Sequence, residues 1–314
     1  MTKKIISIAP SFNCSLSCEG CYLTTDVTED MKSLVKGEKY FLRAIEKAKS
    51  MGYTEFAITW NPYPGAFPMT EQYVRKAKSM GMETSVTTVL QCLTQVDTDF
   101  LDRIDTITIS VDDMRFKDMY DFKVKRHAVM DRLGTQFPRS LQTVSMNYNI
   151  LWTPGVFKWL YDDADTFKDA LDDIKYPDTI QHLIYKPLSL YESETWFWEN
   201  YKRVYENYAW LDISGTENPA RSIGDIALNN MMGLNNCPGE EFQMIDIDPM
   251  GFVRRCPENP TAYDCTTIAK LGQHLKEGTP CKKEKCNCIT GLDSNRPDPT
   301  QTKERSGDWT WKMI

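Results

Sequence analysis

Apolar residues recur along the first 190 residues in two alternating patterns, which predict strands and helices in turn. Short apolar or alternating segments predict six strands, at residues 4–9, 55–60, 83–90, 106–111, 142–151 and 179–186. Apolar residues spaced by three and four predict helices between them, at residues 37–52, 70–81, 96–105, 114–133 and 156–171. Strands that alternate with helices are typical of parallel β–α–β units. The pattern therefore predicts an α/β fold built on a parallel sheet.

The remainder of the chain has a different pattern. Helices are predicted at residues 192–213 and 220–234, and the first of them is rich in aromatic residues. Two strand signals then flank Asp248-Pro-Met-Gly251, whose residue types favour a tight β-hairpin turn. We therefore predict a large unit at residues 1–215 and a small cysteine-rich α+β unit, a β-hairpin plus a helix, at residues 216–314.

Composition and charge narrow the possible functions. The 314 residues, 41% of them hydrophobic, suffice for one large barrel with a small appendage. The net charge is −7 and no basic stripe is present, which argues against a nucleic acid partner. No apolar run of about 18 residues and no signal-peptide pattern occur, so we expect a cytoplasmic protein without membrane contact. Its ten cysteines are then expected to be metal ligands or reduced thiols.

Three cysteines stand together directly after the first predicted strand. Cys14, Cys18 and Cys21 are separated by three and then two residues, so that one loop can wrap three thiolates around a single inorganic centre. Thiolates are the usual protein ligands of iron–sulfur clusters, and three of them on a cubane [4Fe-4S] cluster leave the fourth iron open. A closed zinc site would need a fourth ligand, which this loop lacks. A zinc knuckle or a coincidental cysteine group is the alternative interpretation.

The CxxxCxxC motif after a first strand, followed by repeated strand and helix signals, resembles the radical S-adenosylmethionine (radical SAM) enzymes. The resemblance implies a partial (β/α)6 TIM-like barrel. It also implies that Cys14, Cys18 and Cys21 are catalytic, through a [4Fe-4S] cluster whose open iron binds SAM. Cleavage of SAM would then yield a 5′-deoxyadenosyl radical that abstracts hydrogen from the substrate. A flavodoxin- or ferredoxin-type protein is the implied electron donor.

The first two loops depart from the motifs of this superfamily. Gly20 stands where many members have an aromatic residue, so either Tyr22 or the backbone of Gly20 is expected to pack against the adenine of SAM. The Gly-Gly-Glu motif that receives the amino group of SAM is absent after the second strand. Asn61 or backbone carbonyls are expected to replace it, and a rigid turn without a binding role is the alternative.

The fourth and fifth strands carry further candidates for SAM binding. Ser110-Val-Asp112 is similar to the Ser-x-Asp of many members, which implies SAM contacts by both polar residues. A helix N-cap by Asp112 or Asp113 is the alternative. Asn147 and Asn149 point to one side of the fifth strand, and we predict that they reach ribose hydroxyls or substrate, since buried amides need partners.

Members also often place an arginine against the SAM carboxylate. Lys123, Lys125 and Arg126 stand in the corresponding region, and no single one matches the pattern. Outside these motifs, Cys92 is expected to be a small buried apolar residue. A hydrogen-atom donor to the substrate, as in some radical SAM epimerases, is the alternative role of Cys92.

A second cysteine group lies in the last third of the chain, and its members are Cys237, Cys256, Cys265, Cys281, Cys286 and Cys288. Their arrangement around the predicted hairpin, and around a helix after it, is similar to SPASM and twitch domains. The thiols are too few for two four-cysteine sites. The resemblance therefore implies one auxiliary [4Fe-4S] cluster, held by Cys237, Cys256 and two of Cys281, Cys286 and Cys288, with Cys265 in reserve. Structural zinc is the alternative.

Three functions are compatible with these observations. The first is a radical SAM enzyme that acts on a small molecule, which is favoured because the sequence begins at the barrel without a peptide-binding domain before it. The second is a maturase that modifies a ribosomal peptide. The third is a non-catalytic iron–sulfur electron carrier or a zinc-stabilised binding protein.

Overall fold

The computed structural model of the chain describes residues 4–16, 18, 21, 23, 27–175, 181–187, 243–254 and 262–277. Six parallel strands lie side by side in chain order: β1 (Lys4–Ile8), β2 (Glu55–Thr59), β3 (Glu83–Thr88), β4 (Thr106–Val111), β5 (Ser145–Trp152) and β6 (Gln181–Pro187). All six predicted strands are confirmed, with ends that differ from the prediction by about three residues or fewer. The α/β fold class is therefore confirmed.

Helices connect successive strands, and several of them are amphipathic. In chain order they are α1 (Glu29–Ser33), α2 (Glu38–Ser50), α3 (Ala66–Ser79), α4 (Thr98–Leu101), α5 (Met119–Gln136), α6 (Pro138–Leu141), α7 (Pro154–Asp162) and α8 (Ala164–Lys175), with a 3-10 helix at Leu90–Gln95. In α2 the apolar stripe of Phe41, Ala44, Ile45 and Ala48 is fully buried, as the helical spacing requires.

The order of the strands decides the architecture. Right-handed crossovers place every connecting helix on the same face of a parallel sheet whose strand order never reverses. The burial of β4 agrees, because Ile107, Ile109 and Val111 are fully buried and alternate with half-buried polar residues. One face of the sheet therefore packs against helices, and the other lines the inside of a TIM-like partial barrel, as predicted.

The helix predicted at residues 96–105 is only α4, and the one predicted at residues 70–81 begins at Ala66. Two other helices differ from the prediction for identifiable reasons. α5 begins at Met119 and not at residue 114, because Asp118 is its N-cap and residues 112–118 form a loop. The single helix predicted at residues 156–171 is two helices. Asp163 separates them and accepts a hydrogen bond from the backbone of Thr166 at 2.9 Å. In both places an aspartate offers the backbone a cap that competes with continuing the helix.

The predicted hairpin is present and extends the barrel sheet. β7 (Gln243–Ile247) and β8 (Phe252–Arg254) are antiparallel, and β7 also pairs in parallel with β1. β9 (Tyr263–Asp264) adds to the outer side of β8, and α9 (Ile268–Glu277) packs against α2. Within the described ranges the strand order is β6-β5-β4-β3-β2-β1-β7-β8-β9.

The hairpin turn depends on two residues that the sequence singled out. Asp248 Oδ1 accepts hydrogen bonds from the backbone of Met250 at 3.0 Å and of Phe252 at 2.9 Å. Gly251 has a φ of +86°, and a Cβ atom there would lie 3.1 Å from the hydroxyl of Tyr40 on α2. A side chain at Gly251 would therefore be strained and would push the hairpin away from α2.

Several predictions fall outside the described ranges. These are the helices at residues 192–213 and 220–234, the boundary between units at residues 215 and 216, and Tyr22, Cys237, Cys256, Cys281, Cys286 and Cys288. In the part of the chain that the structure describes, no helix is long and apolar enough to cross a membrane.

Candidate functional site

Small polar side chains line the inner face of the sheet. The register aligns Thr59, Thr87, Thr108 and Asn147 as neighbours across four strands, and places Ser110 beside Asn149 nearer the C-terminal edge. All of them are half-buried or exposed. A closed TIM barrel fills its interior with bulky branched side chains. Hydroxyl and amide groups at these positions instead leave hydrogen-bonding atoms available to a polar ligand.

Asn149 carries a buried acceptor that lacks a hydrogen bond. Its Oδ1 atom forms none with any residue in the described ranges. Asn147 and Asn149 share the inner face, as the alternating pattern predicted. A buried amide oxygen left unpaired costs free energy, and a ligand that donates a hydrogen bond would remove that cost. Asn149 is therefore a stronger candidate for ligand binding than the sequence alone indicated.

The cysteine loop follows β1 at the C-terminal edge of the sheet. It is fixed to the loop after β2, because the backbone N–H of Ser15 donates to the carbonyl of Pro62 at 2.6 Å. The loop also turns back on itself, since Cys21 N–H donates to the Cys18 carbonyl at 3.2 Å. Cys18 is buried, and Cys14 and Cys21 are partly exposed. The three thiols thus stand at the edge where barrel enzymes form their active sites.

The three thiols and Arg115 share one electrostatic environment. Burial raises the pKa of the Cys18 thiol, the Arg115 guanidinium opposes this rise, and the neighbouring thiols Cys21 and Cys14 add to it. Burial in turn lowers the pKa of Arg115, and the same three thiols oppose that change. A cation is thus positioned where it favours thiolates over thiols.

The donor set fits a thiolate-bound cluster. Among the described side chains, no three Cys, His, Asp or Glu residues lie close enough to hold one metal ion. In a cubane each thiolate binds a different iron, so its ligands lie further apart than the ligands of one ion. Three thiols on one loop beside the buried cation Arg115 fit an anionic, thiolate-bound [4Fe-4S] cluster.

Asp112 lies at the end of β4 and is fully buried, with 0% of its surface exposed. Its Oδ1 accepts a hydrogen bond from the backbone of Met114 at 3.1 Å. Its Oδ2 forms an ion pair with Nη1 of Arg115. The alternative role of Asp112 as a helix cap is wrong for α5, since Asp118 caps that helix.

Arg115 was not among the residues predicted from sequence. Its side chain is 16% exposed, Nη1 pairs with Asp112, and Nε is buried without a hydrogen bond to any described residue. The spacing of three residues from Asp112 is a signal for an ion pair, and it is visible in the sequence. Only the fold places that pair beside the cysteine loop, so the sequence signal did not identify a site.

The cations predicted near the SAM carboxylate lie on α5, away from the inner face. Lys123 and Lys125 pair with aspartates of α8 and α5. Nε of Arg126 donates to the hydroxyl of Tyr148 at 3.1 Å. Tyr148 belongs to the fully buried face of β5 that packs on the helices, so Arg126 lies behind the sheet. Arg115 is therefore a better candidate than these three for a site cation.

The other residues predicted from the sequence, Asn61, Cys92 and Cys265, lie in three different parts of the fold. Asn61 is half-buried in the loop after β2, next to Pro62, which contacts the cysteine loop. Cys92 is fully buried in the core, as expected, and its thiol lies 3.9 Å from the carbonyl oxygen of Trp60. Cys265 is buried beside β9, and burial raises the pKa of its thiol to about 11.

No protein-family model matches the chain, and no curated protein sequence is similar to it. Similar solved structures include Streptococcus suis SuiB bound to S-adenosylmethionine, with 14% identity and a TM-score of 0.47 over 87% of this chain and 64% of SuiB. Streptococcus suis SuiB bound to the precursor peptide SuiA has 13% identity and a TM-score of 0.46 over 98% of this chain and 67% of SuiB. Native anSMEcpe with bound AdoMet has 13% identity and a TM-score of 0.47 over 80% of this chain and 74% of that protein.

These neighbours are radical SAM enzymes. The present chain spans only 64% of the length of SuiB bound to S-adenosylmethionine. At this identity and TM-score the functional conclusion depends on the residues of the chain itself, and above all on the cysteine loop.

Proposed function

We propose that the protein is a radical SAM enzyme in which Cys14, Cys18 and Cys21 hold one [4Fe-4S] cluster with an open iron for SAM. The observation that carries the proposal is the CxxxCxxC loop at the C-terminal edge of a sequentially ordered parallel sheet. When bound there and reduced, the cluster supplies the electron for the cleavage of SAM. The chain itself contributes three thiolates, a buried cation beside them and a polar inner face.

Several residues are proposed to hold SAM. Ser110, Asn147 and Asn149 offer uncharged hydrogen-bonding groups on the inner face, which suit ribose hydroxyls. Asn61 and Tyr22 are proposed as contacts from the loops after β2 and β1. Asp112 would act through Arg115, because it is fully buried and both of its oxygens already have contacts. The guanidinium of Arg115, whose Nε–H has no hydrogen bond to a described residue, suits the SAM carboxylate.

The substrate and the accessory features are also proposals. We favour a small polar molecule, in keeping with the hydroxyl and amide groups of the inner face. Modification of a ribosomal peptide is the second candidate, and SuiB was solved with the precursor peptide SuiA. A flavodoxin- or ferredoxin-type protein would supply the electron. An auxiliary [4Fe-4S] cluster would be held in a unit at residues 216–314 by Cys237, Cys256 and two of Cys281, Cys286 and Cys288.

The proposal is tested by changing all three cysteines to alanine. After anaerobic reconstitution, the triple variant should lack about four irons per chain that the unchanged protein binds. It should also produce no 5′-deoxyadenosine from SAM and dithionite. Cys92→Ala is the matched control, because Cys92 is a fully buried cysteine outside the CxxxCxxC motif, and it should retain both properties.

Two outcomes would contradict the proposal. SAM cleavage by the triple variant would place the chemistry elsewhere. An unchanged protein that binds only zinc, or that binds iron without ever cleaving SAM, would favour a zinc-stabilised binding protein or an electron carrier.

A further inference from the structure

A buried arginine, Arg115, stands beside the cysteine loop, and one of its N–H groups has no hydrogen bond to a described residue. Nε of Arg115 is shielded from water and lacks a hydrogen bond within the described ranges. Asp112 provides one negative charge in contact with Nη1. Burying a guanidinium whose donors are not all paired costs free energy, even when one carboxylate is close. A second anionic partner at the cysteine loop would offset that cost.

We propose that Arg115 is a positioning residue that raises the reduction potential of the cluster held by Cys14, Cys18 and Cys21, and that Asp112 holds it in place. The inference rests on the proposed function, because it requires a cluster at these cysteines. A thiolate-bound cluster that takes up one electron becomes more negative. A nearby cation therefore stabilises the reduced cluster more than the oxidised one, and the effect is larger where water is excluded.

The surrounding groups make Arg115 the cation best placed for this role. It follows β4 by four residues, at the same edge of the sheet as the cysteine loop, and its charge acts on the thiols. Arg126 lies behind the sheet against Tyr148. The carboxylate of Asp113 accepts a hydrogen bond from the hydroxyl of Thr153, the N-cap of α7. The two adjacent aspartates thus have different partners, and Asp112 is the one that contacts Arg115.

The test is a redox titration of the reconstituted full-length protein without SAM. Dithionite and mediator dyes set the solution potential, and electron paramagnetic resonance measures the reduced cluster. At a fixed potential, Arg115→Met should lower the ratio of reduced to oxidised cluster about tenfold or more, and tenfold corresponds to 59 mV for a one-electron couple. Arg115→Lys keeps the charge and should recover most of this loss. Arg75→Met is the control, since Arg75 is an exposed arginine of α3 paired with Glu71, and should cause no change.

Iron and sulfide analysis of each sample separates the possible failures. An unchanged potential in Arg115→Met, with the cluster retained, would overturn this inference and leave the proposed function intact. A wild-type protein without a cluster would overturn both. If Arg115→Met loses iron, Arg115→Gln replaces it with the same expected shift. Loss of iron from both Arg115→Gln and Arg115→Lys would make the residue structural and would end the proposal.

Discussion

The two ends of β4 each carry an aspartate, and their surroundings differ. Asp105 precedes the strand, and Nζ of Lys78 lies 2.6 and 2.7 Å from its two carboxylate oxygens. The backbone of Thr84 donates to the same carboxylate at 2.7 Å. Asp112 follows the strand and contacts Nη1 of Arg115, whose Nε atom remains without a hydrogen bond in the described ranges. The donors of Lys78 and Thr84 bind the carboxylate of Asp105. The Nε–H donor of Arg115, beside Asp112, has no hydrogen bond in the described ranges.

This difference separates stability from function along a single strand. In TIM-like barrels the N-terminal edge of the strands serves stability, and the C-terminal edge carries the active site. Asp105 ties α3 to β3 and β4 through Lys78 and Thr84, as expected of a stabilising contact. Arg115 keeps an Nε–H donor that has no hydrogen bond to a described residue, which is typical of a site that awaits a ligand.

The largest expected effect is at the C-terminal edge. Asp112→Ala removes the carboxylate that contacts the buried Arg115, and leaving one charge of a buried pair alone typically costs about 3–5 kcal/mol of unfolding free energy. Urea denaturation would measure this loss. The double variant Asp112→Ala/Arg115→Met removes both charges and should recover much of it. A loss below about 1 kcal/mol, typical of exposed pairs, would mean that water already solvates Arg115.

The sequence predicted those features that depend on local patterns. The six strands follow from apolar periodicity, the hairpin follows from Asp248 and Gly251, and the cysteine loop follows from spacing alone. The pairing of β7 with β1 could not be predicted, because it joins segments more than 200 residues apart that carry no local signal for each other. Arg115 was missed for the same reason. Its importance comes from a loop that only the fold brings near it.

A smaller effect is expected where the loop after β4 meets α7. A Cβ atom at Gly155 would collide with the carboxylate and with the Cβ atom of Asp113. Gly155→Ala should therefore cost about 1–3 kcal/mol of unfolding free energy. Gly134→Ala is the matched control. A Cβ at Gly134 meets only Leu141, at 3.8 Å, and alanine favours a helix interior such as that of α5.

Urea denaturation of both glycine variants measures the contrast between them. We expect Gly134→Ala to be neutral or stabilising by up to about 1 kcal/mol. If both variants lost the same free energy of unfolding, the loop after β4 would accommodate the new methyl group at Gly155 without an extra cost. The close fit between Gly155 and Asp113 would then not hold the site in place.

The smallest effect is expected at the N-terminal edge, and it should depend on pH. Burial raises the pKa of Asp105, but the hydrogen bonds and charge of Lys78 and the hydrogen bonds from Thr84 outweigh it, so the pKa lies below its ordinary value of 3.8. A carboxyl with a depressed pKa in the folded state stabilises the protein above its unfolded pKa, and this contribution is lost as the pH falls through the folded value.

Asp105→Asn should therefore lower the free energy of unfolding at pH 7, by about 0.5–1 kcal/mol because the pair is partly exposed and screened. The difference from the unchanged protein in urea denaturation should shrink towards pH 3 and with added salt. Lys78→Met should cause a similar loss at pH 7 and add little to Asp105→Asn in the double variant. A difference that stays constant with pH and salt would assign the role of Asp105 to the shape of its hydrogen bonds and not to its charge.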